Sequence, residues 1–183
     1  MEIFADDTKA FNKSDNKTDQ AKLQKCIDAM MEWTEKWLLK FNCSKCKSLH
    51  VGKHNRKYDY TIGTGNDKII LEKTFKEKDL GVYIDPLLTF EEHIKETIKK
   101  SNNMSHLIMR SITYKTKEIM IPLLKSLIRP ILEYTNVVWS PSQRKDINAL
   151  EQIQKRFTKC IIGMREMSYE ERLKSLKIPR LSK

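Results

Sequence analysis

The N-terminal half of the chain carries one clear helical pattern. Side chains recur at alternating spacings of three and four residues, which places them along one face of an amphipathic helix; they are Leu23, Ile27, Met30, Thr34, Trp37 and Phe41. Thr18 or Asp19 is the expected N-cap, and Asn42 is the expected end. Trp33 and Trp37 stand four residues apart and are expected in the core, with stacking on nucleic-acid bases as the alternative.

Strand-like runs lie on both sides of this helix. Residues 1–11 have the pattern of half a hairpin, whose return strand is expected at 8–11. Further on, the turn signal Gly63-Thr64-Gly65-Asn66 separates two strand-like runs. After the helix, strands are expected at 45–51, 58–62, 68–71 and 80–84, the last one ended by Asp85-Pro86.

From residue 86 onward the pattern is helical. Thr89 and Glu92 have the spacing of a capping box, in which each side chain satisfies a backbone N–H of the other residue. The helix that follows presents one face, made of Phe90, Ile94, Ile98, Ser101, Ser105 and Ile108. His93 lies on this helix and is expected in a surface or capping role.

Residues 116–138 are apolar and helix-like, but Pro122 and Pro130 must kink or divide that helix. The next helical stripe ends before Gly163, a residue that favours helix C-termini; its members are Ile147, Leu150, Ile153, Phe157 and Ile161. A second capping box, Ser168-Tyr169-Glu170-Glu171, opens a short last helix.

The predicted fold class is therefore α+β, with mixed α and β structure up to about residue 85 and all-α structure after it. The chain has 183 residues, of which 39% are hydrophobic, and that length predicts one domain, or one domain and a fragment, with a sizeable core. The five glycines and five prolines exclude a low-complexity linker.

The charge is concentrated in the second half. The net charge is +11, and residues 84–183 contribute 19 basic and 11 acidic side chains. A basic half is the electrostatic footprint of a phosphate-binding surface, although charge also serves solubility alone. The candidate phosphate contacts are two helical clusters, for which a solvated helix face is the alternative: Lys95, Lys99 and Lys100, and Lys155, Arg156 and Lys159.

The sequence predicts an intracellular protein, in the nucleus or the cytoplasm. Residues 1–15 lack the apolar core of a secretory signal, and the most apolar stretch is too short and too charged to cross a membrane. The four cysteines are expected to be reduced thiols. A zinc site at Cys43, Cys46, His50 and His54 is disfavoured, because only three residues separate the Cys pair from the His pair, where zinc fingers place about 12.

Asp6 and Asp7 are the first chemical candidates. Two carboxylates at the tip of a β-hairpin are projected by the turn and held by the strands, where phosphates can reach them. Mg²⁺ prefers such oxygen ligands, and two ions about 4 Å apart stabilise both the attacking and the leaving oxygen of a phosphoryl transfer. Two adjacent acids more often belong to an ordinary surface turn than to a metal site, so the functional interpretation depends on the rest of the chain.

Phe4-Ala5-Asp6-Asp7 resembles the Tyr/Phe-x-Asp-Asp box of reverse transcriptases. Further segments resemble those of the non-LTR, LINE-type enzymes of the jockey and CR1 kind, in the family's order and spacing. These segments are Trp33 to Lys47 with its Asn-x-x-Lys, the Leu-Gly-Val segment in 79–85, Thr89-Phe90-x-x-His93-Ile94, 125–141 and 150–159.

The resemblance implies an RNA-directed DNA polymerase acting by two-metal nucleotidyl transfer. Asp6 would be a ligand of catalytic Mg²⁺ and Asp7 its supporting acid, while Lys45 would protonate the leaving pyrophosphate. Leu80, Gly81 and Val82 would correspond to the segment near which the primer strand is gripped. The partners would be an RNA template and a DNA primer, with no membrane and no small-molecule cofactor.

The resemblance also sets the expected domains. Residues 1–85 would be the C-terminal part of a polymerase palm, and 86–183 a helical thumb and connection region. In the family another metal-binding aspartate and the nucleotide-binding segments lie far upstream of the Asp-Asp box, so Mg²⁺ and dNTP binding are expected only with a complete palm. The isolated chain is expected to be inactive and to expose apolar palm surface. The alternatives are a non-catalytic nucleic-acid-binding fragment and a translated transposon relic.

Overall fold

The computed structural model describes residues 2–4, 7–39 and 41–181. The chain divides into two compact units: the first contains residues 1–79 and 84–89, and the second contains residues 80–83 and 90–183. Within the described ranges no helix is long and apolar enough to cross a membrane.

The first unit begins with a β-hairpin. Strand β1 (Glu2–Phe4) pairs antiparallel with β2 (Asp7–Lys9), and Phe4 stands opposite Asp7. The expected return strand is therefore present, although it occupies residues 7–9 rather than 8–11. Lys9, at the end of β2, forms an ion pair with Asp79.

Helix α1 (Lys17–Lys36) confirms the first helical stripe, with Ile27 and Thr34 buried. The N-cap prediction was wrong: Asn16 caps the helix, and its Oδ1 accepts a 2.8 Å hydrogen bond from the Asp19 N–H. The predicted end at Asn42 was also wrong. The N–H groups of Leu38 and Leu39 donate to the carbonyls of Glu35 and Thr34, which closes the helix in a Schellman motif five residues earlier.

Short strands complete the first unit. Strand β3 (Lys47–Leu49) pairs parallel with β6 (Glu72–Thr74), and β4 (Thr61–Ile62) pairs antiparallel with β5 (Ile69–Ile70). Strand β7 (Glu77–Asp79) follows. The turn signal between β4 and β5 is confirmed, because a Cβ on Gly63 would lie 2.5 Å from the Asp67 carbonyl oxygen. The small core contains Ile27, Tyr60, Ile62 and Leu71.

After β8 (Val82–Ile84), residues 86–181 form helices and no strand. The helices are α2 (Glu91–Ser111), α3 (Lys117–Leu123), α4 (Arg129–Glu133), α5 (Asn136–Trp139), α6 (Arg144–Lys159) and α7 (Tyr169–Leu176). Their core is larger than that of the first unit, and its fully buried apolar members are Trp139, Phe157, Met120, Leu124, Ile128 and Ile161.

The two prolines divide the 116–138 segment as expected. Pro122 lies inside α3, and a π-helical turn (Leu124–Ile128) precedes α4, which has Pro130 in its first turn. A proline ring clashes with the carbonyl four residues earlier. The wider π turn, closed by the Arg129 N–H on the Leu124 carbonyl, relieves that clash without ending the helical path.

Of the two predicted capping boxes, one is confirmed. At α7 the Ser168 side chain accepts from the Glu171 N–H, and the Glu171 side chain accepts from the Ser168 N–H. At α2 the N-cap residue is Phe90, with φ of 55°, rather than Thr89. The Thr89 hydroxyl donates to Asp85 at 3.1 Å.

Helices α2 and α6 run parallel within the second unit. Near their starts, Lys145 Nζ lies 3.3 Å from Glu91 Oε1. Beyond their ends, the Ile162 N–H donates to the Lys115 carbonyl at 2.9 Å. The apolar faces predicted for both helices are buried, with Ile94 and Ile108 on α2 and Ile153 and Phe157 on α6.

Candidate functional site

The Asp-Asp hairpin is the first part of the candidate site. Asp6 lies outside the described residues. Asp7 is the first residue of β2 and is exposed, so its carboxylate is available to an oxygen-preferring cation such as Mg²⁺. Among the described residues no group of three or more His, Cys, Asp and Glu side chains could hold a metal ion.

Lys45, the candidate proton donor, is exposed at the end of a short 3-10 turn (Cys43–Lys45) just before β3. The next residue, Cys46, lines a cleft of about 300 Å³ in the first unit, and so does Thr8, the residue after Asp7. The segments that carry Asp7 and Lys45 thus border the same cleft. Its walls are mainly apolar, with Leu23, Leu49 and Leu71 among them.

Three of the residues weighed for zinc, Cys43, Cys46 and His50, make other contacts. The Cys43 and Cys46 thiols donate to the backbone carbonyls of Phe41 and Asn42. His50 is buried, and its Nε2 lies 2.8 Å from the Tyr58 carbonyl, so that nitrogen carries a proton and donates. Burial is the main cause that lowers the pKa of His50, and it also raises the pKa of the Cys46 thiol.

The Leu80-Gly81-Val82 segment forms a turn followed by the start of β8. Leu80 and Gly81 both have positive φ, 44° and 90°. The close neighbour of Gly81 is the Tyr134 ring, because a Cβ would lie 3.3 Å from its Cε1. The Tyr134 hydroxyl donates to the Leu80 carbonyl at 2.9 Å. Val82 is buried in the core of the second unit, so of the two side chains in this segment only that of Leu80 is exposed.

The two basic clusters lie on the parallel helices of the second unit, and all six side chains are exposed. Lys95, Lys99 and Lys100 project from α2, and Lys155, Arg156 and Lys159 project from α6. Lys99 Nζ lies 3.6 Å from Glu96, and Lys155 Nζ lies 5.9 Å from the centre of the Tyr169 ring. The structure therefore brings the clusters onto two adjacent helices of one unit.

Two expectations about aromatic and imidazole residues were wrong. Trp33 and Trp37 are 54% and 60% exposed, since α1 turns only Ile27 and Thr34 fully inward. His93 is buried, not superficial: its Nδ1 accepts from the Tyr83 N–H at 3.4 Å, and its ring packs edge-on against Trp139. Burial, followed by the nearby Lys100 charge, lowers the pKa of His93.

Comparison with known proteins shows that this chain is similar to the RNA-directed DNA polymerases of mobile elements. No family model matches the chain, and no solved structure does. The curated relatives confirm the resemblance to the non-LTR reverse transcriptases.

The relatives are both named RNA-directed DNA polymerase from mobile element jockey. The one from Drosophila funebris is 26% identical over 166 residues, which cover 87% of this chain and 18% of the relative. The one from Drosophila melanogaster is 28% identical over 189 aligned positions, which cover 97% of this chain and 20% of the relative. The chain spans about a fifth of the length of the curated relatives it matches.

Proposed function

We propose that this chain is a segment of a non-LTR retrotransposon reverse transcriptase, with a palm part at 1–85 and a thumb and connection part at 86–183. In this proposal the Asp-Asp hairpin serves the polymerase centre and the helices of the second unit hold the RNA–DNA duplex. The observation that carries the proposal is the similarity to jockey RNA-directed DNA polymerase over up to 97% of the chain.

The chain's own part in catalysis would be to supply carboxylates and a proton donor. Asp6 and Asp7 would hold a divalent ion, which when bound stabilises charge on the reacting phosphate oxygens. Asp7 is exposed at the start of β2, and the Lys9–Asp79 ion pair fixes the far end of that strand. Lys45 would donate a proton to the leaving pyrophosphate, an effect typically of about 10²–10⁴-fold.

The isolated chain is proposed to be inactive, because it covers only 18–20% of the length of the polymerases that it resembles. The test is primer extension by the purified chain with Mg²⁺, an RNA template and a DNA primer. The expected result is no extension above background. Robust extension that Asp6→Asn abolishes would overturn the proposed inactivity and would make Asp6 a live catalytic residue.

The proposed duplex surface consists of the exposed cations on α2 and α6. Each Lys or Arg that neutralises a duplex phosphate contributes about −0.9 to the slope of log affinity against log salt. A double variant, Lys95→Gln with Lys99→Gln, should therefore weaken RNA–DNA duplex binding and flatten that slope by about 2. Lys155→Gln with Lys159→Gln should do the same.

The matched control is Lys13→Gln with Lys53→Gln, which removes the same charge from exposed positions of the first unit. It should change duplex affinity only slightly, through the smaller net charge. If the control and the two test variants weaken binding equally, the helices are merely solvated and the duplex assignment fails. A salt-independent affinity would have the same consequence.

A second candidate function is non-catalytic nucleic-acid binding by the second unit. The observation that favours it is that all six basic side chains are exposed on adjacent helices of a well-packed unit. This function requires salt-sensitive binding that persists in EDTA and survives Asp6→Ala with Asp7→Ala. Binding that needs Mg²⁺ and the aspartates would exclude it. A chain that neither folds cooperatively nor binds nucleic acid would be a relic.

A further inference from the structure

Helix α1 ends in two exposed tryptophans that contact each other. Their ring centroids are 6.3 Å apart and their planes are tilted by 44°. Each ring therefore restrains the orientation of its neighbour, while more than half of each side chain faces solvent. Large aromatic side chains are usually buried to a great extent, so an exposed pair marks a binding surface more specifically than an exposed leucine does.

The charges around this pair are arranged by helical geometry. With 100° of rotation per residue, a sector of about 120° on α1 contains Trp33, Trp37 and Ala29. The exposed basic residues in the same sector are Lys22, Lys25 and Lys36. Asp28, Glu32 and Glu35 lie in the adjoining sector. Asp19 lies in the same sector as the tryptophans, in the first helical turn and 4.0 Å from Lys22.

We propose that this sector, the Trp33–Trp37 platform, binds single-stranded nucleic acid. Bases would stack on the indole rings, and phosphates would lie near the lysines. Base–aromatic stacking is largely independent of sequence, because every base presents a π face. The platform lies in the first unit, so the proposal goes beyond the duplex surface assigned to α2 and α6.

Charge complementarity favours a polyanion over an apolar protein partner. A protein surface that covers the tryptophans would also desolvate the lysines of the sector, which is costly without acidic partners. From Lys22 to Lys36 the platform is about 21 Å long. That length matches roughly six nucleotides at about 3.4 Å per stacked base. Leu38 and Leu39, exposed next to Trp37, make self-association the alternative that the test must separate.

The experiment measures binding of the full chain to fluorescein-labelled oligomers of eight deoxythymidines or eight uridines, by anisotropy and by tryptophan quenching. Trp33→Leu and Trp37→Leu should each weaken binding by about 5- to 100-fold, whereas the Phe variants, which keep a ring, should lose about threefold or less. Lys36→Gln should flatten the salt slope by about 0.7. Lys17→Gln, an exposed lysine outside the sector, is the matched control and should bind like the unaltered chain.

Several outcomes would overturn the proposal. One is a chain that does not bind either oligomer, and another is Leu variants that bind with unchanged affinity while their circular dichroism shows an intact helix. Leu variants that lose only self-association in sedimentation would identify the platform as a contact between copies. RNA–DNA duplex binding, measured in the same variants, should not change. If the chain binds the oligomers but does not bind the RNA–DNA duplex, the duplex assignment is overturned and the platform proposal stands.

Discussion

Lys177 ends helix α7 in a conformation that suits glycine better than lysine. Its φ and ψ are 52° and 48°. Its N–H donates to the Lys174 carbonyl at 3.2 Å, and the Ile178 N–H donates to the Leu173 carbonyl at 3.1 Å. These two bonds form a Schellman motif, whose left-handed residue is usually glycine. Lys177→Gly should therefore leave the second unit more stable than Lys177→Ala does.

The magnitude follows from two opposing effects. A residue with a Cβ costs about 1–2 kcal/mol in the left-handed conformation. Glycine removes that cost but adds about 0.5–1 kcal/mol of unfolded-state entropy. Because the Lys177 side chain is exposed, little burial is lost. The backbone change alone is therefore expected to add about 0.5–1 kcal/mol to the free energy of unfolding, and the loss of the Lys177 charge offsets part of this gain.

Lys177→Ala is the control, because it removes the side-chain charge and keeps the Cβ. Loss of a cation near a helix C-terminus costs about 0.3–1 kcal/mol, so the alanine variant should be slightly destabilised. The difference between the glycine and alanine variants isolates the backbone term and should be about 1 kcal/mol, or roughly 4–8 °C in Tm for a unit of about 100 residues.

The assay is urea unfolding followed by tryptophan fluorescence in a Trp33→Phe, Trp37→Phe background. Trp139 is then the remaining tryptophan; it is buried in the second unit. A glycine variant no more stable than the alanine variant would refute the reasoning, since the Cβ at this position would then impose no strain.

Three further predictions concern buried polar groups of the second unit. Ser101 Oγ is buried with no hydrogen-bond partner among the described residues, so Ser101→Ala should raise the free energy of unfolding by about 1 kcal/mol in the same urea assay. Burial lowers the pKa of His93, so the unfolded chain binds more protons than the folded chain. The free energy of unfolding of the second unit should therefore fall as the pH drops below about 6.5. His93→Gln should flatten that profile in thermal melts between pH 7.5 and 5, whereas His106→Gln, at an exposed position of the same helix, should leave it unchanged. The buried Arg172 guanidinium donates to three oxygens, so Arg172→Met should lower Tm by an amount equivalent to about 2–4 kcal/mol. A decrease in Tm no larger than that caused by Arg165→Met, at an exposed position, would contradict this role of Arg172.

The helices with a strong apolar period could be predicted from the sequence. On α6 the residues Leu150, Ile153 and Phe157 are buried as their spacing predicts. The two prolines also indicated where the preceding helical segment divides, because a missing N–H and a bulky ring act locally. What proline does not specify is how the break is accommodated, and the π turn was not predicted.

The short strands and the helix ends were harder to predict. Strands β6 and β7 contain three residues each, with charged side chains and no clear alternation. The pairing of β6 with β3 links residues more than 20 positions apart, which no local pattern encodes. At the end of α1, the apolar stripe continued through Trp37 to Phe41, but a local Schellman closure at Leu38 ended the helix first. The pattern therefore predicted that Trp33 and Trp37 are buried, whereas both are exposed in the structure.

The residue types of the candidate site could be predicted from the sequence, but their arrangement in space could not. The Asp-Asp pair and the basic clusters are visible as sequence motifs. That Thr8 and Cys46 line one cleft depends on how the hairpin, α1 and β3 pack together, and spacing along the chain carries no information about that. For Gly81 the resemblance implied a position near the primer strand, and nothing in the local sequence indicated that its close neighbour is the Tyr134 ring, 53 positions away.

The parallel arrangement of α2 and α6 has a consequence for synthesis on the ribosome. The apolar face of α2 packs against a helix whose first residue, Arg144, comes 33 positions after the last residue of α2, Ser111. At about 5–20 residues per second, translation needs several seconds to cover that interval and α6 itself. During that time α2 lacks its contacts with α6, and chaperones can bind its apolar face. Slower translation of residues 112–159 should lengthen this exposure and increase aggregation of the nascent chain.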